Sequence, residues 1–289
     1  MRVFVFAAAI LGLATAAAAQ AKPVAIVAAE NFYGDVAARI GGKSVAVTSI
    51  LANPDQDPHS FEAGASTARR IAASRLVVYN GADYDPWMVK LLAGSPSSTR
   101  VVIEIAALLH RKPGDNPHLW YDPAAMPAFA RALASRLGEI DPAHRADYDR
   151  GRDAFLATLV PLGDKIAAMR EAYRGVAVTA TEPVFGYMAD ALGLVMRNAR
   201  FQLAVMNDTE PGAGEIAAFE NDLRGRRVRA LLYNNQASGA LPGRMQALAA
   251  ANHIPVVGVS ETEPAGETYP HWMLRQLAAL DAALGARTP

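Results

Sequence analysis

Short runs rich in β-branched residues recur along this chain, separated by stretches long enough for a helix, and no other feature restricts its fold as strongly. They fall near residues 24–27, 45–50, 76–79 and 101–105 in the first half, and near 176–179, 194–197, 228–233 and 256–259 in the second. A parallel pair of strands needs a long crossover connection, usually a helix, so this alternation predicts parallel sheets covered by helices. The expected fold class is α/β, with two (β/α)4 lobes. No sequence repeat is detected between the halves.

Residues 141–174 form a charged, alanine-rich stretch in which Tyr148, Phe155, Leu156, Leu159, Leu162, Ile166 and Met169 follow spacings of three and four. Asp141-Pro142 supplies an N-cap and a proline at the first helical position, and Gly175 closes the other end. At 1.5 Å per residue such a helix would be a rod of roughly 50 Å. Pro161 removes an internal hydrogen bond, which predicts either a kink or two stacked helices. The expected division is a signal peptide over 1–19, an N-terminal lobe over 20–140, a linker helix over 141–175 and a C-terminal lobe over 176–289.

The signal assignment rests on Arg2 as the only early charge, an apolar run over 3–13, and Ala17-Ala18-Ala19 as a small-residue cleavage site. That run is too short to span a bilayer. There is no cysteine, hence no disulfide and no thiol for lipid attachment, which favours a free periplasmic protein over a lipoprotein. Lysine plus arginine and aspartate plus glutamate number 28 each, and loss of Arg2 leaves the mature chain about one unit negative. Nothing in that balance points to nucleic acid or an anionic membrane.

Two of the six histidines share a setting. His59 lies in Asp57-Pro58-His59 and His118 in Asn116-Pro117-His118-Leu119-Trp120, each beyond a predicted strand. An Xaa-Pro step keeps the backbone extended, and histidine is the commonest metal ligand, so the pair suits a preformed metal site as well as it suits ordinary loop histidines. Parallel α/β sheets bind ligands beyond the carboxyl ends of their strands, where Glu182 and Glu261 also fall. Glu182 could equally be a first-turn acid favoured by the helix dipole. Glu261 has rivals in Glu263 and Glu267, and strand-end position selects it. Trp120 could wall the site or fill core, and Asn234-Asn235-Gln236 could hydrogen-bond the ligands or only its own loop. His110, His144, His253 and His271 are expected to be surface or packing residues. No Gly-rich phosphate loop, Gly-x-Ser-x-Gly elbow or His-Glu-x-x-His helix is present.

These segments resemble the periplasmic metal-binding proteins of ATP-driven zinc and manganese importers, the cluster A-I solute-binding proteins. The resemblance covers nearly the whole mature chain. Asn31-Phe32-Tyr33-Gly34-Asp35-Val36-Ala37 is similar to the family's opening helix, Asp57-Pro58-His59-Ser60-Phe61-Glu62 and Asn116-Pro117-His118-Leu119-Trp120 to its two histidine loops, and Tyr79-Asn80-Gly81 to a strand end between them. It implies two lobes joined by a rigid helix, no enzymatic activity, and four metal ligands, which fall on His59, His118, Glu182 and Glu261. Glu261 stands where the family usually has aspartate. The implied ligand is Mn2+ or Zn2+, with Fe2+ as a further candidate: two imidazoles with two carboxylates suit manganese or ferrous iron comparatively well, while zinc competes strongly by affinity. The implied partner is the membrane permease of an ABC importer, served by a monomer. The rival expectations are a periplasmic metallohydrolase and a binding protein for a chelated metal or organic ligand.

Overall fold

The computed structural model describes residues 22–54, 58, 61–237 and 239–286. The expected signal peptide and His59 lie outside the described residues. Among them, no helix is long and apolar enough to cross a membrane.

The described residues hold two four-stranded parallel sheets. The first contains β1 (Val24–Glu30), β2 (Val45–Leu51), β3 (Leu76–Tyr79) and β4 (Val101–Glu104), in the order β2-β1-β3-β4. The second contains β5 (Ala177–Ala180), β6 (Val195–Arg197), β7 (Leu231–Asn234) and β8 (Val256–Val259), in the equivalent order β6-β5-β7-β8. Each strand matches an expected run to within a few residues at its ends. The largest differences are three residues, at β1, which runs on to Glu30, and at β7, which begins at Leu231 rather than 228, although Arg229 N–H and Ala230 C=O already bond to Ala177 and Thr179 of β5.

Equivalent strand order exposes a repeat that the sequence alone did not disclose. When β1 is set on β5, residues 24–37 (VAIVAAENFYGDVA) and 176–189 (VAVTATEPVFGYMA) agree at six of fourteen positions, including Glu30 with Glu182 and Gly34 with Gly186. The ladders agree as well. Ala28 pairs with Val78 and Ala180 with Leu232, so two residues further on Glu30 lies beside Asn80, and Glu182 beside Asn234.

The first lobe is covered by α1 (Asn31–Gly41), α2 (Ala65–Ala73), α3 (Pro86–Ala93), α4 (Ile105–Leu108) and α5 (Ala125–Ile140). In α1 the buried set Phe32, Tyr33, Val36, Ala37 and Ile40 follows helical spacing and packs toward β1, and Gly42 at φ 53° ends the helix in a conformation that favours glycine. Burial of a side chain such as Phe32 contributes about 2–3 kcal/mol. The expected linker is helical but broken. After α6 (Arg145–Thr158) the chain turns at Leu159 into α7 (Val160–Tyr173), with Pro161 in the first turn, where its missing N–H costs least. The two segments attach to different lobes. Gly151 of α6 lies so close to Ile40 that an added Cβ would sit 2.3 Å from the Ile40 carbonyl oxygen. Beyond α7 come α8 (Gly186–Ala191), α9 (Ala199–Met206), α10 (Ala213–Arg224), α11 (Ala240–Ala251) and α12 (Tyr269–Gly285), and α7 is tied to α12 by Lys165 and Tyr173, both bonded to Asp281.

The main core crosses from lobe to lobe. Phe32, Trp120 and Tyr121 of the first lobe meet Phe185, Tyr269 and Trp272 of the second, with ring centroids 5.8 Å apart for Phe32–Trp272 and 5.3 Å for Tyr121–Phe185. Tyrosine hydroxyls stitch the same seam: Tyr269 donates to the Trp120 carbonyl, and the single Tyr121 proton is shared between the Ser260 carbonyl and the Gln276 side-chain oxygen.

Candidate metal centre

His118 lies on the loop that leads from α4 to a 3-10 turn over Leu119–Tyr121, and it is fully buried. Asn116 fixes its ring. The Asn116 carboxamide oxygen accepts the His118 backbone N–H at 3.1 Å and contacts Nδ1 at 2.7 Å. An amide oxygen can only accept, so Nδ1 carries a proton and Nε2 is the nitrogen left to a metal. Asn116 is in turn held by the other lobe, donating to the Pro183 carbonyl and accepting from the Tyr187 hydroxyl at its own carbonyl. Gly186 leaves room for this arrangement, because an added Cβ would sit 2.7 Å from Asn116 Nδ2 and the asparagine would have to shift. Trp120 serves both roles open to it: it is core, and its ring stands edge-on to His118 at 5.4 Å.

Glu182 and Glu261 come from the ends of β5 and β8, and β7 runs between those strands. Its last residue, Asn234, therefore sits between the two carboxylates. Nδ2 donates to Glu182 Oε2 at 2.9 Å and to Glu261 Oε1 at 2.5 Å. Glu182 occupies the N-cap position of the 3-10 turn Pro183–Phe185, yet its side chain makes no cap hydrogen bond and is directed to Asn234. Glu261 Oε2 lies 3.3 Å from His118 Nε2 and accepts the Tyr84 hydroxyl at 3.0 Å. Burial and the Glu261 charge push the Tyr84 hydroxyl well above its usual range, so it remains a donor. Gln236 sets the loop that carries Glu261: its side-chain oxygen accepts the backbone N–H of Glu261 and of Thr262.

Of the four expected site residues, His118 and Glu261 are in direct contact and Glu182 is linked to Glu261 through Asn234, all three buried, although among the described residues no three histidine or acidic side chains form a group that could hold a metal. The rivals of Glu261 are engaged elsewhere. The Glu263 backbone is clamped from both sides by the Asn31 side chain, and its carboxyl is pushed up to about 8 by burial and by Asp35. Glu267 pairs with Arg275 on the surface. Of the other histidines, His144 bonds Asp141, His271 is exposed on α12, and His110 and His253 occupy left-handed turn positions.

Sequence reasoning missed Tyr84 and Asn31. Both act across the lobe interface: no motif marks Tyr84, and the segment similar to the family's opening helix, which Asn31 begins, gives no sign of its partner in the other lobe. An asparagine at a helix start reads as a cap, whereas Asn31 spends its amide on Glu263.

The family model for ZnuA, zinc-uptake complex component A periplasmic, matches residues 26–283. The chain is 24% identical over 230 residues to a metal ABC transporter substrate-binding lipoprotein, SloC, of Streptococcus mutans, covering 73% of this chain and 72% of that one. It is 22% identical over 224 residues to the manganese-binding lipoprotein MntA of Bacillus subtilis, covering 74% and 71%. Among solved structures, the periplasmic zinc binding protein TroA from Treponema pallidum superposes with a TM-score of 0.77 at 18% identity, covering 92% of this chain and all of that one.

Proposed function

From the premise that this chain belongs to the ZnuA family of periplasmic zinc-uptake components, we propose that it captures a divalent transition metal and hands it to the permease of an ABC importer. The metal is cargo, bound without turnover. Its ligands are His59, His118, Glu182 and Glu261, and the division is a leader over 1–19, lobes over 20–140 and 176–289, and a helical linker over 141–175. The protein works as a monomer, free in the periplasm after loss of the leader, since it has no cysteine to carry a lipid.

One observation carries this reading: the approach of His118 Nε2 to Glu261 Oε2 at 3.3 Å, each from a different lobe and each oriented by its own amide. A tetrahedral zinc with nitrogen and oxygen ligands at about 2.0–2.1 Å would hold two such atoms about 3.3 Å apart. Four protein ligands would also fill a tetrahedral site, leaving no position for an activated water and hence no hydrolytic role.

Metal analysis of protein purified under native conditions, followed by competition between zinc and manganese, tests the proposal. Roughly one equivalent of metal is expected, lost in His118→Ala and in Glu261→Gln. Unchanged affinity in both variants overturns the site.

A further inference from the structure

The site described above leaves the choice of metal open, and Asn234 bears on it. Its amide orientation is fixed, because Oδ1 accepts the Gln236 backbone N–H at 3.0 Å, a group that can only donate. The NH2 group therefore faces the carboxylates, and its two hydrogens serve one oxygen of each, Glu182 Oε2 and Glu261 Oε1. Asn234 is itself buried, and it ends the strand between the two that deliver the glutamates, so the contact is built into the sheet order.

We infer that Asn234 is the residue that sets metal preference: by engaging one oxygen of each glutamate, it holds both carboxylates to single-oxygen coordination and biases the site toward zinc over manganese. This rests on the proposed metal centre. A carboxylate binds a metal through two oxygens when both turn lone pairs toward it, and an N–H aimed at one of them competes for that electron density. Two histidines and two single-oxygen carboxylates make a four-ligand set, which zinc accepts as a tetrahedron. Manganese is better served by more oxygen ligands, up to octahedral coordination, and would gain from carboxylates free to bind through both oxygens. Glu261 Oε2, which Asn234 does not contact, is the oxygen beside His118 Nε2, and there it also accepts the Tyr84 hydroxyl. The pseudo-equivalent Asn80 confirms that position alone does not dictate this role, for its amide donates to the Gly81 and Pro117 carbonyls.

The test compares the full-length parent with Asn234→Ala and Asn234→Ser, the serine retaining one donor hydrogen. Zinc and manganese affinities are measured by competition, and Co2+ loaded in place of either reports coordination number through its visible absorption, intense for four-coordinate and weak for six-coordinate ions. The parent is expected to show the intense spectrum. Asn234→Ala should lower the zinc-to-manganese affinity ratio by at least about tenfold, the usual size of an effect exerted through a ligand's hydrogen-bond partner, and weaken the cobalt bands. Asn234→Ser should fall between, and it decides the matter should the alanine variant fail to fold. A parental ratio and parental spectrum in the folded variants overturn the inference while leaving the metal site standing. Metal binding by the parent that is indifferent to His118→Ala overturns the site, and the inference with it.

Discussion

Glu30 and Glu182 occupy equivalent positions at the ends of β1 and β5, each beside an asparagine from the neighbouring strand, and they have opposite fates. Glu182 meets Asn234 and faces Glu261, delivered by β8. Beyond β4 no carboxylate takes the place that Glu261 has beyond β8, since Ile105, Ala106 and Ala107 follow the strand, and Glu104, its last residue, pairs with Tyr79. Asp85 folds back instead, accepting the Asn80 and Gly81 backbone N–H groups, and Glu30 is buried against it. Among the described residues no N–H or O–H donates to either Glu30 carboxyl oxygen. Burial raises Glu30 well above the carboxylate range and Asp85 to about 6, so that a proton shared by the pair would satisfy both acids. Asn80 meanwhile takes the Tyr33 hydroxyl on its oxygen and braces Pro117, the residue before His118. The comparison teaches that one strand-end acid becomes a proposed metal ligand or a structural acid according to what the next strand and the intervening amide do. The first lobe supplies imidazole on a braced loop, and the second supplies charge.

The sharpest way to break that comparison is the same substitution on both sides. Glu182→Gln should cost at least about 100-fold in metal affinity by calorimetric titration, given that changes one layer further out already cost roughly 10–100-fold. Glu30→Gln should leave affinity within about threefold. Equal losses would mean that the two acids are not differentiated as described.

A second measurement follows the proton. Because Glu30 and Asp85 have raised values in the folded state, the native protein binds more protons than the unfolded chain above the ordinary carboxylate range, so stability falls as pH rises through about 6 and beyond. Metal-free protein should lose on the order of 2 kcal/mol in urea unfolding between about pH 5 and 8. Glu30→Gln should flatten that slope, since its amide can donate to Asp85 at any pH. An unchanged slope in the variant would place the proton elsewhere.

Gly186→Ala sharpens the coupling between lobes. Its Cβ would crowd Asn116 Nδ2, and displacement of Asn116 would release the His118 ring. The expected loss in metal affinity is about tenfold, with a stability cost of about 1 kcal/mol from overpacking. Stability loss without loss of affinity would show that Asn116 does not act through His118. The smallest effect belongs to Tyr84→Phe, which removes one hydrogen bond to Glu261 and should cost about 1 kcal/mol of binding, or roughly fivefold. A larger loss would make the hydroxyl part of the ligand set.

Much of the fold was legible because β-branched runs and helical spacings are local signals, and β3 and β8 fall where those runs predict. The repeat was not, since six matches in fourteen positions acquire meaning only once ladder register sets Glu30 beside Asn80 and Glu182 beside Asn234. His118 was marked by its Asn-Pro-His step, and the structure adds what the asparagine does. Glu261 was selected over Glu263 and Glu267 by strand-end position, and its company now includes His118, Tyr84 and Asn234. Tyr84 and Asn31 work between segments remote in sequence, where no local pattern can announce them.

The aromatic seam between the lobes has a thermodynamic consequence. With Phe32, Trp120 and Tyr121 packed on Phe185, Tyr269 and Trp272 in one continuous core, neither half can melt without stripping apolar cover from the other. Heating should therefore reveal a single calorimetric transition whose van't Hoff and calorimetric enthalpies agree. A bound ion, although it touches only a few side chains, should then raise the melting temperature of the whole chain as one cooperative unit.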